Sequence, residues 1–172
     1  MAQELTHKDV EKIEAEIKYR STVVRKEAIE AVKVAREQGD LSENFEYYAA
    51  KKDKNKNEIR IRYLERMLKN AKIISDESKE DEVGINNTVE IYFEEDDETE
   101  IYKLVTSIRG DSLDGRISIE SPIGKAILGH KVGDRVYVKI SGSEGLDASG
   151  FYVVIRSIEN TTDTEEDTIR TY

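Results

Sequence analysis

The chain reads as an α+β protein: an N-terminal antiparallel α-helical coiled-coil hairpin, then a small antiparallel β-sheet domain with one short helix. Three observations predict this. Residues 8–37 and 43–74 contain no Gly and no Pro, and their apolar residues recur at heptad spacing. After residue 75 the pattern shortens to alternating β-branched and aromatic clusters. Charge is also segregated. Residues 1–75 hold 17 Lys and Arg against 14 Asp and Glu, a net of +3, whereas 76–172 hold 10 against 23, a net of −13. A mildly basic half beside a strongly acidic one suggests two domains with separate tasks.

The first helix opens on Thr6 and Asp9, which have the spacing of a capping box. Its expected seam is Val10, Ile13, Ile17, Val24, Ala31 and Val34, interrupted by Arg20 and Glu27. Gly39 ends it. The second helix has Tyr47, Ala50, Ile61, Leu64, Leu68 and Ala71 as its seam. Two helices of about 30 residues joined by so short a turn lie antiparallel. At about 1.5 Å per residue the hairpin, spanning 1–75, is on the order of 45 Å long. Residues 51–58, KKDKNKNE, hold no apolar residue. Lys51, Lys52, Lys54 and Lys56 there form either a solvated helix face or a basic strip placed to meet phosphate.

DESKEDE at 76–82 is an acidic linker. Clusters at 89–93, 101–105, 117–119, 136–140 and 151–155 predict five strands in a domain spanning 83–158. EEDDETE at 94–100 makes a hairpin loop between the first two. SPIGKAILG at 121–129 reads as a short helix, with Ser121 as cap, Pro122 in the first turn and Gly129 at the end. The segment 159–172 is polar and acidic and is expected to fray.

Several function classes drop out. With no cysteine there is no disulfide, thiolate or Cys-ligated metal chemistry. No run approaches the roughly 18 apolar residues of a membrane span, and MAQELTHKDVEKIEAE lacks the apolar core of a signal peptide. A cytoplasmic protein without a membrane partner is expected. A net charge of −10 argues against free duplex DNA as a partner of the whole chain. His7 and His130 lack partners at metal spacing, and there is no Gly-rich phosphate loop or Ser/His/Asp set.

The informative stretch is REQGDLSENFEYYAAKK at 36–52, at the expected hairpin tip. Asp40-Leu41-Ser42-Glu43 has the spacing of a capping box, with Asp40 or Ser42 at the cap. A second reading is open. Carboxylates crowding the end of a thin rod, with Glu37 and Glu46 nearby, are hard oxygen ligands suited to Mg²⁺. Two of them are too few to hold that ion alone. A rod that delivers Asp40 and Glu43 to a partner's metal site would fit two-metal phosphoryl chemistry. Tyr47 and Tyr48 read first as packing residues of the tip.

AREQGDLSENFEYYAA at 35–50 resembles the tip motif of the Gre transcript cleavage factors (GreA/GreB type) of bacterial RNA polymerase. SPIGKAILGHKVGD at 121–134 resembles their second signature. The resemblance covers about residues 5–158. It implies a C-terminal FKBP-like domain that docks at the rim of the polymerase secondary channel, and a coiled coil that enters the channel. It further implies an acidic pair, Asp40 and Glu43, that shares a Mg²⁺ ion with the polymerase active site, no tightly bound cofactor being needed. The nascent RNA 3′ end of a backtracked complex would be cut by the polymerase itself, so the factor is not an enzyme on its own. Asn44 and Tyr47 match positions that support the tip and its contacts, and Ser121 and Pro122 match the docking signature. A monomer is expected. Phe45 stands where the family usually has a small residue.

Three alternatives have their own tests. A non-cleaving secondary-channel regulator would bind backtracked complexes without shortening RNA. A prolyl isomerase would need an aromatic pocket, and the C-terminal domain has only Phe93 and Phe151 and no Trp. A plain coiled-coil adaptor would tolerate neutral tip residues.

Overall fold

The computed structural model describes residues 2–40, 43–140 and 149–171. Leu41, the alternative cap Ser42 and most of the 141–150 loop lie outside the described residues. The chain forms two compact units, one comprising Met1–Gln3 and Val10–Lys72, the other Glu4–Asp9 and Ile73–Tyr172.

The first unit is the helical hairpin. It contains α1 (His7–Tyr19) from Val10 onward, a π-helical turn (Arg20–Val24), α2 (Arg25–Glu37) and α3 (Phe45–Lys69). The capping box that starts α1 is present in both directions. Thr6 N–H donates to Asp9 Oδ2 at 2.9 Å, and Asp9 N–H donates to Thr6 Oγ1 at 3.2 Å.

The π turn changes the expected seam. Arg25 N–H bonds the carbonyl of Arg20, five residues back, so the turn holds one residue more than an α-helical one. Before it, Val10, Ile13 and Ile17 face inward as the heptads predict. After it the inward positions move by one residue. Ala28, Val32 and Ala35 are buried or half-buried, whereas the expected Ala31 and Val34 are exposed, Val34 at 45%.

On α3 the expected gap in the seam is filled by polar residues. The inward series runs Tyr47, Ala50, Lys54, Asn57, Ile61, Leu64, Leu68, a regular heptad alternation. Asn57 is 4% exposed. Its amide nitrogen donates to the Arg20 carbonyl at 3.2 Å and its oxygen accepts from Arg20 Nη1 at 3.3 Å. That carbonyl belongs to the π turn, so the extra residue in one helix is matched by an amide from the other. Glu16 adds a second polar contact. It accepts from Arg20 Nε at 2.6 Å and from the buried Arg60 Nε at 2.9 Å. Arg25 makes a two-pronged pair with Glu58, at 2.7 and 2.9 Å.

The second unit is a five-stranded sheet. Its strands are β3 (Thr88–Phe93), β4 (Glu98–Val105), β5 (Arg116–Ser118), β6 (Arg135–Lys139) and β7 (Gly150–Glu159), in the order β5-β4-β3-β7-β6. A separate two-stranded ladder joins β1 (Glu4–Leu5) to β2 (Lys72–Ile73). All five predicted strands are present, but the larger sheet is mixed. The β3–β4, β3–β7 and β6–β7 ladders are antiparallel, while β5 runs parallel to β4, Lys103 facing Arg116 and Val105 facing Ser118. A parallel neighbour needs a return connection rather than a tight turn. Residues 106–115, with a 3₁₀ turn at Ser107–Arg109, provide it because β5 is only three residues long. The core beneath is aliphatic: Val89, Ile91, Leu104, Ile127, Val138, Val153 and Ile155 are all fully buried.

Two polar clusters close this unit. Arg109 and Asp9 are both fully buried and joined Nε to Oδ1 at 2.5 Å, and Thr106 Oγ1 donates to Asp9 Oδ2 at 2.7 Å. The segment after 159, expected to fray, instead carries a buried Asp167. Its Oδ2 accepts from Lys103 Nζ at 2.5 Å and from the Thr164 N–H at 2.8 Å, and Arg170 N–H bonds the Ile108 carbonyl at 2.9 Å. An acidic tail is held where buried or half-buried cations need counter-charges.

Burial by itself would raise the pKa of Glu16, but hydrogen bonds from Arg60 and Arg20 outweigh it and hold the carboxyl below the usual range. A depressed folded pKa gives stability that is complete above the unfolded value and is lost as pH falls through the folded one. Glu16→Gln is therefore expected to flatten the loss of hairpin stability below about pH 4.3, the ordinary Glu value, read from helical circular dichroism in urea at pH 7 and pH 3. Asn57→Ala leaves the guanidinium and carbonyl of Arg20 short of a partner, and is expected to lower unfolding free energy by about 1–3 kcal/mol. Urea melts at neutral pH measure that; an unchanged midpoint would remove the seam amide from the account.

Candidate functional site

The tip is built from the end of α2 and the start of α3. Helix α2 stops at Glu37, and Gly39 takes φ of 150°, a backbone region L residues rarely adopt. Asp40 accepts a backbone hydrogen bond from Glu43 N–H at 3.3 Å, which closes the turn. Helix α3 begins at Phe45, and its cap is Asn44, not Asp40. The Asn44 side-chain oxygen accepts from Tyr47 N–H at 2.9 Å. Its amide nitrogen donates to the Ala35 carbonyl at 2.6 Å. One side chain thus caps α3 and bonds a terminal carbonyl of α2, groups that a helix end leaves without an intrahelical partner.

This corrects the capping reading of Asp40 and Glu43. Both are exposed, and both line one shallow depression together with Asn44 and Phe45. Glu43 precedes α3 and Glu46 lies in its first turn, at the positive end of the helix dipole. Among the described residues no group of three or more His, Cys, Asp and Glu is placed to hold a metal ion. The donor set at the tip is two hard carboxylates, which fits Mg²⁺ only if another molecule completes the coordination.

Tyr47 is half-buried against the tip. Arg36 lies 5.8 Å and Lys51 Nζ 5.9 Å from its ring centroid, and the Tyr48 ring meets it edge-on at 5.6 Å. A hydrogen bond from Arg36, then the charge of Lys51, lowers the Tyr47 hydroxyl pKa. The four lysines of the expected strip do not share one face. At about 100° per residue, Lys51 and Lys54 lie on one side of α3, and Lys52 and Lys56 on another. Lys54 is half-buried and the other three are exposed.

The second motif forms as expected. Ser121 caps α4 (Pro122–Ile127), its Oγ accepting from Gly124 N–H at 3.0 Å and donating to the Ser118 carbonyl at 2.6 Å. Pro122 is exposed in the first turn, and Gly129 follows the helix with φ of 80°. Gly124 is required by contact: a Cβ there would stand 2.0 Å from the Ser118 carbonyl oxygen. His130 is exposed, with Nδ1 3.1 Å from Asp134.

Sequence reasoning missed Asn44 as the cap and the polar seam at Asn57 and Arg60. The signals were present: Asn44 immediately precedes the first helical turn, and Asn57 falls on the same heptad series as Ile61 and Leu64.

Comparison with known proteins agrees with this layout. Residues 3–73 match the family model "Transcription elongation factor, N-terminal", and 76–145 match "Transcription elongation factor, GreA/GreB, C-term". The transcription elongation factor GreA of Bacillus velezensis is 45% identical over 150 residues, covering 85% of this chain and 96% of that protein. GreA of Thermoanaerobacter pseudethanolicus is 49% identical over 137 residues, 79% of this chain and 87% of that one. Among solved structures, GreA factor homolog 1 (Gfh1) of Thermus thermophilus is 26% identical with a TM-score of 0.42, covering 93% of this chain and all of that one. Matched along both of its units, the chain belongs to the GreA/GreB family of transcription elongation factors.

Proposed function

We propose that this elongation factor enters the secondary channel of bacterial RNA polymerase and stimulates the polymerase's own endonucleolytic cleavage of backtracked RNA. The observation that carries this reading is the tip. Asn44 takes the capping role of α3, which leaves the two neighbouring carboxylates outside the cap itself. They stand exposed at the end of a hairpin in a chain whose relatives are elongation factors.

In this mechanism Asp40 and Glu43 would each offer one carboxylate oxygen to a Mg²⁺ ion shared with the polymerase. A Mg²⁺ ion held there supplies Lewis acidity and lowers the pKa of an attacking water. Asn44 fixes the position of the pair by tying the start of α3 to the end of α2. Tyr47, held by Arg36 and Lys51, braces the same turn. Lys51, Lys52 and Lys56 put exposed positive charge within reach of the RNA backbone on both flanks of α3, while Lys54 faces the seam. The second unit, with Ser121 and Pro122 at the start of α4, docks on the rim of the channel. The protein alone carries no nuclease.

Asp40→Asn and Glu43→Gln test the acidic pair. Both changes keep the size of the side chain and a hydrogen-bonding oxygen, and neither residue is the α3 cap, so melting temperature is expected to stay close to the wild-type value. RNA shortening in stalled, backtracked polymerase with Mg²⁺ is expected to fall roughly a hundredfold, the scale of losing one preorganised group in an active centre. Full cleavage by both variants would refute the ligand role. Tight binding by the wild type without any RNA shortening would instead identify a non-cleaving channel regulator.

Asn44→Ala removes both the cap and the bond to Ala35, and is expected to cost about 1–2 kcal/mol in hairpin stability and to slow cleavage. Asn44→Asp keeps the capping oxygen but loses the donor. It is expected to recover most of the stability and less of the cleavage rate, as compared in parallel melts and cleavage time courses.

A further inference from the structure

Phe45 is 88% exposed and Tyr48 is 52% exposed. Single exposed apolar side chains are ordinary, and Leu113, at 96% in a surface turn, is one. Phe45 differs in its surroundings. It is the first residue of α3, immediately after the Asn44 cap, so its backbone is fixed. It lines the same depression as Asp40 and Glu43. Tyr48 follows three residues on, hence on the same side of the helix, with its ring set edge-on against the braced Tyr47. Lys52, exposed, is the next residue along that side, and no Asp or Glu shares it at helical spacing.

We propose that Phe45 and Tyr48 form a stacking platform for nucleobases of the extruded RNA 3′ segment, beside the carboxylates that the cleavage reading places at the scissile phosphate. The proposal rests on that reading. Side chains three residues apart on a helix stand about 5–6 Å apart at Cβ, so the two rings can each take the face of one unstacked base. Stacking recognises π-faces without regard to sequence, which is what a factor acting on any transcript requires. The platform also solves an electrostatic problem. Carboxylates repel the RNA backbone, so strand held near Asp40 and Glu43 needs an attraction that does not depend on phosphate. Base stacking on a neutral ring provides it.

The test uses the full-length protein with polymerase stalled on transcripts backtracked by two nucleotides, carrying either natural or abasic extruded residues. Wild-type protein must first shorten the natural transcript; if it does not, the cleavage reading fails and takes this proposal with it. Given wild-type cleavage, Phe45→Ala is expected to slow shortening of the natural transcript about tenfold, the scale of one lost base–aromatic stack. On the abasic transcript the variant and wild type are expected to match. Phe45→Trp should restore the rate and Phe45→Leu should not. Tyr48→Ala should show the same dependence on the bases. Melting temperatures of the Phe45 variants should equal that of the wild type, since that side chain faces solvent, while Tyr48→Ala also loses its edge-on contact with Tyr47 and is compared well below its own melting temperature. An unchanged rate for Phe45→Ala overturns the platform. So does an equal loss on natural and abasic transcripts, or rescue by Leu, either of which means that the ring contacts a protein wall of the channel.

Discussion

A rod made of two helices has no third layer, so each helix has a single stripe with which to hold its partner. Everything at the tip depends on that stripe keeping register. Here register is held by a buried amide. Asn57 on α3 bonds the carbonyl of Arg20 at the point where the other helix takes its π turn, and accepts from the Arg20 guanidinium in return. Apolar residues slide past one another at little cost, whereas a buried amide matched to one carbonyl does not. The Glu16 contacts with Arg20 and Arg60 reinforce the same level. Toward the tip, Asn44 repeats the device, spanning α2 and α3 with one side chain. Asp40 and Glu43 therefore stand beside a helix start that is tied to both helices by hydrogen bonds.

The second unit uses charge differently. Its aliphatic core is complete, and its buried ions lie at the periphery of the sheet. Arg109 is fully buried with Asp9, and Asp163 approaches it at 3.8 Å. Asp167 lies between Lys103, at 2.5 Å, and Arg116, at 3.8 Å. Burial alone would raise the Asp167 pKa, but the hydrogen bonds from Lys103 and from the Thr164 backbone, and the charge of Lys103, outweigh it and hold the carboxyl below its ordinary value. The strong negative charge of this half of the chain is thus partly structural.

Most of the architecture was legible in the sequence because it rests on periodicity and caps. Heptads located both helices, alternation located all five main strands, and Thr6, Asp9, Ser121 and Pro122 marked helix starts that the structure contains. The parallel placement of β5 was not legible, since strand direction is decided by a loop path and not by the strand's own residues. Asp40 resembles a cap because capping boxes are recognised by spacing, and the Asp40–Glu43 spacing falls one turn before the helix start that Asn44 caps. The ordering of 159–171 was hidden for another reason. Composition registers that a segment is acidic, but the cations that hold it, Lys103, Arg109 and Arg116, come from other elements.

The π turn has a consequence for how variation along the hairpin should distribute. Beyond residue 24 the interior of α2 is offset by one position from the heptad count that precedes it. Ala31 and Val34, which a simple count marks as interior, line an open groove with Glu27, Glu30 and Glu46, and with the seam residues Ala35 and Ala50. Val32 and Ala35 are the residues facing α3. Mutational tolerance should therefore be out of phase across Arg20–Val24, with permissive sites on α2 where the α1 pattern would place constrained ones. The exposed wall of that groove, Glu27, Glu30, Ala31 and Val34, is where substitutions cost the hairpin least.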